Sequence, residues 1–98
     1  MERNRVEIDG RIVACDGLRR TPAGLPSLLI RIEHESGQRE AGHERRVMCE
    51  LEAIAYGEPA TQMAGLKQGD QVGLTGFLER KGLRDHRPIL HVTAYELI

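Results

Sequence analysis

The chain has 98 residues, of which 40% are hydrophobic and 30% are charged. This length suits one small domain, and the composition is too apolar for a disordered chain. Fourteen basic residues against 15 acidic ones give a formal net charge of −1. That balance excludes a protein that coats nucleic acid by charge alone, and it excludes an acidic tail protein.

No apolar run approaches the roughly 20 residues that a membrane-spanning helix needs, and no signal-peptide-like stretch follows the first residues. We therefore expect a cytoplasmic protein with no membrane partner. The two cysteines, Cys15 and Cys49, belong to no Cys/His cluster. Both are expected to be reduced thiols rather than a disulfide, and the register of Cys49 predicts a buried structural thiol.

Alternating apolar and polar residues predict three strands in the first half of the chain. The first carries Val6, Ile8 and Ile12 on one face, and Gly10 marks a bend or bulge in it. A turn-rich loop at residues 21–26 leads into a second strand around residues 28–33. Residues 35–45 are charged and contain two glycines, which predicts a mobile loop. A third strand follows, with its apolar face formed by Val47, Cys49, Leu51 and Ala53.

The second half of the chain contains one candidate helix, over residues 59–67, which Gly65 and Gly69 limit to one or two turns. A fourth strand is predicted over residues 71–78 and a fifth over residues 88–97. The charged segment 79–87 between them is predicted to be a hairpin loop.

Five strands with a bent first strand, a short connection between strands 3 and 4 and a long loop between strands 4 and 5 are typical of an OB-fold. We therefore predict one all-β domain over residues 1–98, a five-stranded Greek-key barrel with at most one short helix between strands 3 and 4. A five-stranded sandwich fragment is the alternative, and the connection over residues 50–69 favours the barrel.

Basic residues concentrate in the loops that follow the first and fourth strands. Segment 17–31 contains three arginines and no acid, and segment 79–87 contains four basic residues against two acids. In an OB-fold these loops border the face of strands 2 and 3, which suits a polyanionic backbone. Arginine-rich loops are also common as solvated surface, so charge placement alone leaves both interpretations open.

Several short segments follow one another in a recognisable order along nearly the whole chain. They are Asn4-Arg5, the loop from Leu18 to Pro26, Glu33-His34, Glu40-Ala41-Gly42, Arg45, Cys49, the strand from Val72 to Leu78, His91 and the closing Glu96-Leu97-Ile98. Together they resemble primosomal replication protein N, the PriB family of bacterial replication restart. The resemblance implies a homodimeric OB-fold related to the bacterial single-stranded-DNA-binding protein.

The same resemblance implies a function without catalysis or cofactor. Family members bind single-stranded DNA and the helicase PriA at stalled forks, and in some bacteria they hand over to the loader protein DnaT. Their role is to stabilise the helicase on DNA and to help reload the replicative helicase. The resemblance therefore predicts a primosomal adaptor rather than an enzyme.

Carried over by position, the family pattern and the basic segments predict a nucleic-acid-binding set. Its members are Arg19 and Arg20 at the first loop, His43, Arg45, Arg46 and Met48 on the third strand, and Arg80, Lys81, Arg84 and Arg87 in the last hairpin. No catalytic residue is predicted. No metal site is predicted either, because His34 and His91 lack a second metal-type ligand at a suitable spacing.

Three positions depart from the better-known family pattern. Met48 stands where tryptophan is common, His43 where an aromatic residue occurs, and Glu35 where a basic residue occurs. Stacking of a base on an aromatic side chain contributes about 1–3 kcal/mol. The departures therefore predict weaker DNA binding, and they leave open an alternative function as a protein-interaction module with vestigial DNA binding.

Overall fold

The computed structural model describes residues 2–98. Its elements are five strands and one short helix, in the order β1 (Val6–Arg20), β2 (Pro26–Glu40), β3 (His43–Tyr56), α1 (Glu58–Met63), β4 (Gln71–Arg80) and β5 (Pro88–Leu97). The strands close into a barrel in the order β1-β2-β3-β5-β4. Only the β3–β5 pair is parallel among these neighbours. The predicted OB-fold is confirmed.

β1 belongs to both sides of the barrel, because its two halves pair with different strands. Val6–Arg11 pairs with β4, and the segment from Arg11 onward pairs with β2. The partners change beside the buried Gly10, and the register of β1 with β2 shifts just after it, between Ile12 and Ala14. A Cβ atom at Gly10 would lie 2.8 Å from the carbonyl oxygen of Glu33, so only glycine allows this close approach. This close approach explains the glycine, while the bend or bulge expected at Gly10 stays a prediction.

The core fills the barrel with side chains from every strand, and α1 closes one end. Both Ala60 and Met63 of the helix are buried against it. The helix ends at Met63, four residues before the predicted end at Lys67, and a turn with Gly69 at positive φ leads into β4. The strand residues buried in this core are Ile12, Leu28, Ile30, Ile32, Ala53, Ala55, Val72, Leu74, Leu90 and Val92.

The mobile loop predicted for residues 35–45 is wrong, because this segment forms the end of a long β-hairpin. β2 continues to Glu40, β3 begins at His43, and both Ala41 and Gly42 have positive φ. Such two-residue turns match the twist of the flanking strands. Ion pairs between residues 35–40 and 44–46 connect the two arms, so charged side chains stabilise a segment whose composition suggested a loop.

The prediction of a buried Cys49 is also wrong, because its thiol is exposed. Cys49 lies opposite His34, beyond the last pair that β1 forms with β2, which joins Arg11 and Glu33. At this point the β2–β3 hairpin extends beyond the barrel, so the side of β3 that carries Cys49 no longer faces the core. Cys15 is half-buried, and both cysteines are free thiols. The one helix of residues 2–98 is far too short to cross a bilayer.

Candidate nucleic-acid interface

The outward side of the β2–β3 hairpin forms a continuous surface, which we call the outer face. The pairing register places Arg31 opposite Glu52, Glu35 opposite Met48 and Gly37 opposite Arg46. Side chains of successive residues alternate between the two sides of a strand, so these residues share one side. Met48 is 64% exposed on this face. Two of the predicted residues, Arg46 and Met48, therefore lie on it together.

The loop between β4 and β5 lies against the outer face. The Lys81 Nζ donates to both carboxylate oxygens of Glu52, each at 3.0 Å. An open cleft of about 390 Å³ separates the loop from the hairpin. Its lining residues are Arg31, Glu50, Leu51, Glu52, Arg87 and Pro88. The structure thus brings Lys81 and Arg87 of the predicted set beside strands 2 and 3.

His43 and Arg45 lie on the opposite side of the hairpin from Arg46 and Met48. All four are on β3, whose pairing with β2 contains no register shift, so odd and even positions face opposite ways. Arg45 also forms an ion pair with Glu40 on its own side. The structure therefore does not bring the four predicted β3 residues together on one surface.

Four of the predicted cations are paired with acids. The pairs are Arg45–Glu40, Arg46–Glu35, Lys81–Glu52 and Arg87–Asp85. Hydrogen bonds from the side chain and the backbone of Arg87 lower the pKa of Asp85 to about 2, so this carboxylate is ionised at every physiological pH. In turn, the hydrogen bond to Asp85 raises the pKa of Arg87. These acids offset part of the positive charge that the sequence suggested.

The other predicted cations have no acid partner within residues 2–98. Arg20 donates to the carbonyl oxygen of Gly24 at 2.9 Å, while Arg19, Arg80 and Arg84 are exposed and form no ion pair there. Arg31, which the predicted set omits, is likewise exposed, has no acid partner within residues 2–98 and lines the cleft. Its signal was present in the sequence, since Arg31 alternates with the inward-facing Ile30 and Ile32.

A row of three rings lies on the outside of the barrel across β3, β5 and β4. His91 lies between the other two rings. Its centroid is 5.0 Å from that of Phe77, on which it stacks, and 5.9 Å from that of Tyr56. Tyr56 and Phe77 are 42% and 40% exposed. The shallow cleft beside them, about 250 Å³, is lined by His91 but by no lysine or arginine of residues 2–98. A DNA phosphate in this cleft would therefore meet no guanidinium or ammonium group, unlike a phosphate in the cleft beside Arg31.

His34 is engaged in the fold rather than free to bind a ligand. Its Nδ1 lies 2.6 Å from the carbonyl oxygen of Asp9, and its Nε2 lies 2.8 Å from the Ser36 hydroxyl. Across residues 2–98, no three His, Cys, Asp or Glu side chains are grouped closely enough to hold a metal ion.

Comparison with known proteins identifies the family to which this barrel belongs. A family model described as "another single-strand binding protein family" matches residues 4–94. The replication restart protein PriB of Nitrosomonas europaea is 38% identical over 98 residues, which cover all of this chain and 91% of that protein. The chain belongs to the PriB family. The predicted family resemblance is thereby confirmed.

Solved structures agree with the PriB assignment and with the barrel. The PriB structure from Ralstonia solanacearum superimposes with a TM-score of 0.89 at 26% identity, covering 98% of each chain. The single-stranded DNA binding protein from Thermus aquaticus superimposes with a TM-score of 0.79 at 24% identity, covering 97% of this chain and 50% of that one. This barrel fold is therefore shared with a protein outside the PriB family.

Proposed function

We propose that this protein is a non-enzymatic adaptor of replication restart that binds single-stranded DNA and stabilises the PriA helicase on it. The relative from N. europaea is named a replication restart protein and matches the whole chain, which supports the restart role. The observation that carries DNA binding is the cleft on the outer face, where Arg31 and the β4–β5 loop lie around one groove.

Cations at this cleft are suited to phosphate. Arginine presents a planar fork of donors that binds phosphate oxygens in pairs and also stacks on bases. The exposed Met48, farther along the same face, offers a polarizable apolar contact to a base in place of an aromatic ring. Binding of this kind depends mainly on charge, because the exposed rings of Tyr56 and Phe77 line a different cleft from Arg31 and Arg87.

The test is a fluorescence anisotropy titration of labelled oligo-dT with the protein at 50 and 200 mM salt. Three to four phosphate contacts give a slope of log affinity against log salt of about −2 to −3 for single strands. We therefore expect the affinity to fall roughly 20- to 50-fold between the two salt concentrations. A salt-independent affinity would contradict a phosphate-binding cleft.

A second function, a protein-interaction module with weak DNA binding, is favoured by the neutralised cations. Glu35 forms an ion pair with Arg46 on the outer face, and Glu52 forms one with Lys81 of the β4–β5 loop. This function predicts little oligo-dT binding even at 50 mM salt, together with intact binding to PriA. Titrating labelled PriA under the same conditions distinguishes the two functions. A contact with a DnaT-type loader belongs to the proposed adaptor role where the organism contains one.

The proposed adaptor is a homodimer that pairs through the free edge of β1. From Val6 to Gly10 this strand pairs with β4 only, because its pairing with β2 begins at Arg11. The Asp9 carbonyl points to this edge, where it meets His34. Exposed strand edges are normally covered, and a two-fold axis covers two identical edges at once.

Light scattering is therefore expected to give about twice the 11.0 kDa of one chain. Glu7 lies two residues from Asp9, so its N–H points to the same edge, away from β4. We expect Glu7→Pro to give a monomer, because it removes this donor from the edge. Glu7→Ala retains the donor and serves as the control. A monomeric parent protein would contradict the dimer, and a dimeric Glu7→Pro variant would contradict this edge.

A further inference from the structure

We propose that Glu52 is an internal competitor of DNA, which holds Lys81 in the free protein and must be displaced by a phosphate group. This inference rests on the proposed function and names a residue that sets the affinity of the same cleft. A carboxylate in the wall of a groove that binds a polyanion repels the ligand, so its presence there requires an explanation.

Glu52 lies between two clefts on the outside of the barrel. This residue lines the cleft beneath the β4–β5 loop and also the neighbouring cleft of about 200 Å³ beside Ala14 and Asp16. It lies directly opposite Arg31 in the pairing of β2 with β3. A strand of DNA that contacts Arg31 therefore passes next to this carboxylate.

The Lys81–Glu52 pair is the least exposed lysine or arginine ion pair of residues 2–98. The ammonium group contacts both carboxylate oxygens, and the side chains are only 35% and 24% exposed. Every other lysine or arginine ion pair found in residues 2–98 has at least one side chain more than 40% exposed. Salt screens a partly buried pair less than an exposed one. Lys81 is thus held in a pair that salt weakens less than the exposed ones, and a ligand must compete with Glu52 for it.

The pair also fixes the β4–β5 loop to the hairpin. Within residues 2–98, the Lys81–Glu52 contact is the hydrogen-bonded link between the loop at residues 81–87 and strand β3. The remaining hydrogen bonds of the loop are internal, such as those from Arg87 to Asp85. A phosphate that replaces Glu52 as the partner of Lys81 would therefore release the loop from the outer face at the same time.

The test compares Glu52→Gln with Glu96→Gln in the oligo-dT titration. Glutamine has the size of glutamate and still accepts a hydrogen bond from Lys81, so the loop keeps its contact while the competing charge is removed. Glu96 lies on β5, outside the outer face, and forms no ion pair within the described chain 2–98. The two variants change the net charge equally. A difference between their DNA affinities therefore reports the location of the removed charge.

We expect Glu52→Gln to raise the affinity at 50 mM salt about 5- to 10-fold and to steepen the salt slope by about 0.7, the value of one more phosphate contact on a single strand. Glu96→Gln is expected to raise the affinity less than about 2-fold, since its charge is remote from the cleft. Equal affinities for the two variants would overturn the competitor role while leaving the cleft itself intact.

A double variant tests whether Glu52 acts through Lys81. In a Lys81→Gln background, the Glu52→Gln change is expected to give a smaller gain in affinity than in the parent protein, because the withheld cation is gone and only the repulsion of DNA by Glu52 remains. An undiminished gain in that background would overturn the pairwise mechanism. Absence of oligo-dT binding in every variant would overturn the proposed function, and this inference with it.

Discussion

Reversing the charges of Arg31 and Arg84 together is expected to lower the affinity for oligo-dT about 100-fold at 50 mM salt. Both guanidinium groups lack an acid partner within residues 2–98, so neither must be released from the protein before it binds phosphate. Each reversal removes one phosphate contact and adds a repulsion, worth roughly tenfold apiece. The measurement is the anisotropy titration over a series of salt concentrations, which also reports the slope.

The matched control is the reversal of Arg5 and Lys67, which changes the net charge by the same amount. Arg31 lines the cleft and Arg84 lies in the β4–β5 loop beside it, whereas Arg5 and Lys67 belong to neither. If the control lost as much affinity as Arg31→Glu/Arg84→Glu, overall charge would govern binding and the assigned cleft would be wrong. A flatter salt slope in the cleft variant alone would support the assignment, because the slope counts phosphate contacts.

Gly76→Ala is expected to destabilise the protein by about 3 kcal/mol or more, a large effect for a single methyl group. Gly76 is buried at a bulge, where the register of β4 with β5 shifts between Thr75 and Gly76. A Cβ atom at this position would overlap the backbone carbonyl of His91. Backbone atoms of a paired strand cannot move aside as a flexible side chain does, so the β4–β5 ladder must open.

Thermal unfolding measures this loss directly. For a domain of this size each kcal/mol lowers the melting temperature by about 4–8 °C, so we expect a decrease of more than about 12 °C. Gly65→Ala is the control, because a Cβ atom there meets open space. A Gly76→Ala protein that melted within a few degrees of the Gly65→Ala protein would show that the strands separate easily at this bulge.

The barrel was predictable wherever one side of a strand is buried. Ile12, Ile30 and Ile32 alternate with polar residues because water lies on one side of the sheet and the core on the other. The alternation stops where the hairpin extends past β1, since both of its sides then face water. Residues 35–40 therefore resemble a loop in composition, although cross-strand ion pairs and the turn at Ala41 and Gly42 order them.

The cations of the candidate site were predictable, but their pairing was not. The positions of Lys81 and Arg46 followed from family pattern and strand face. Their acid partners, Glu52 and Glu35, lie 29 and 11 residues away in other strands, and only the folded register brings them together. Local charge counts missed this neutralisation, because the basic segment and its counter-ions are separate in the chain.

The division of β1 between two partners has a consequence for the order of folding. The β2–β3 hairpin closes through the turn at Ala41 and Gly42, whereas the pairing of Val6 with Gly76 joins residues far apart in the chain. Closing a longer loop costs more conformational entropy, and contacts distant in sequence slow folding. We therefore expect the hairpin to form early. The first half of β1 stays unpaired until β4 forms and pairs with it. Closure of the barrel is then the late, cooperative step that the whole chain shares.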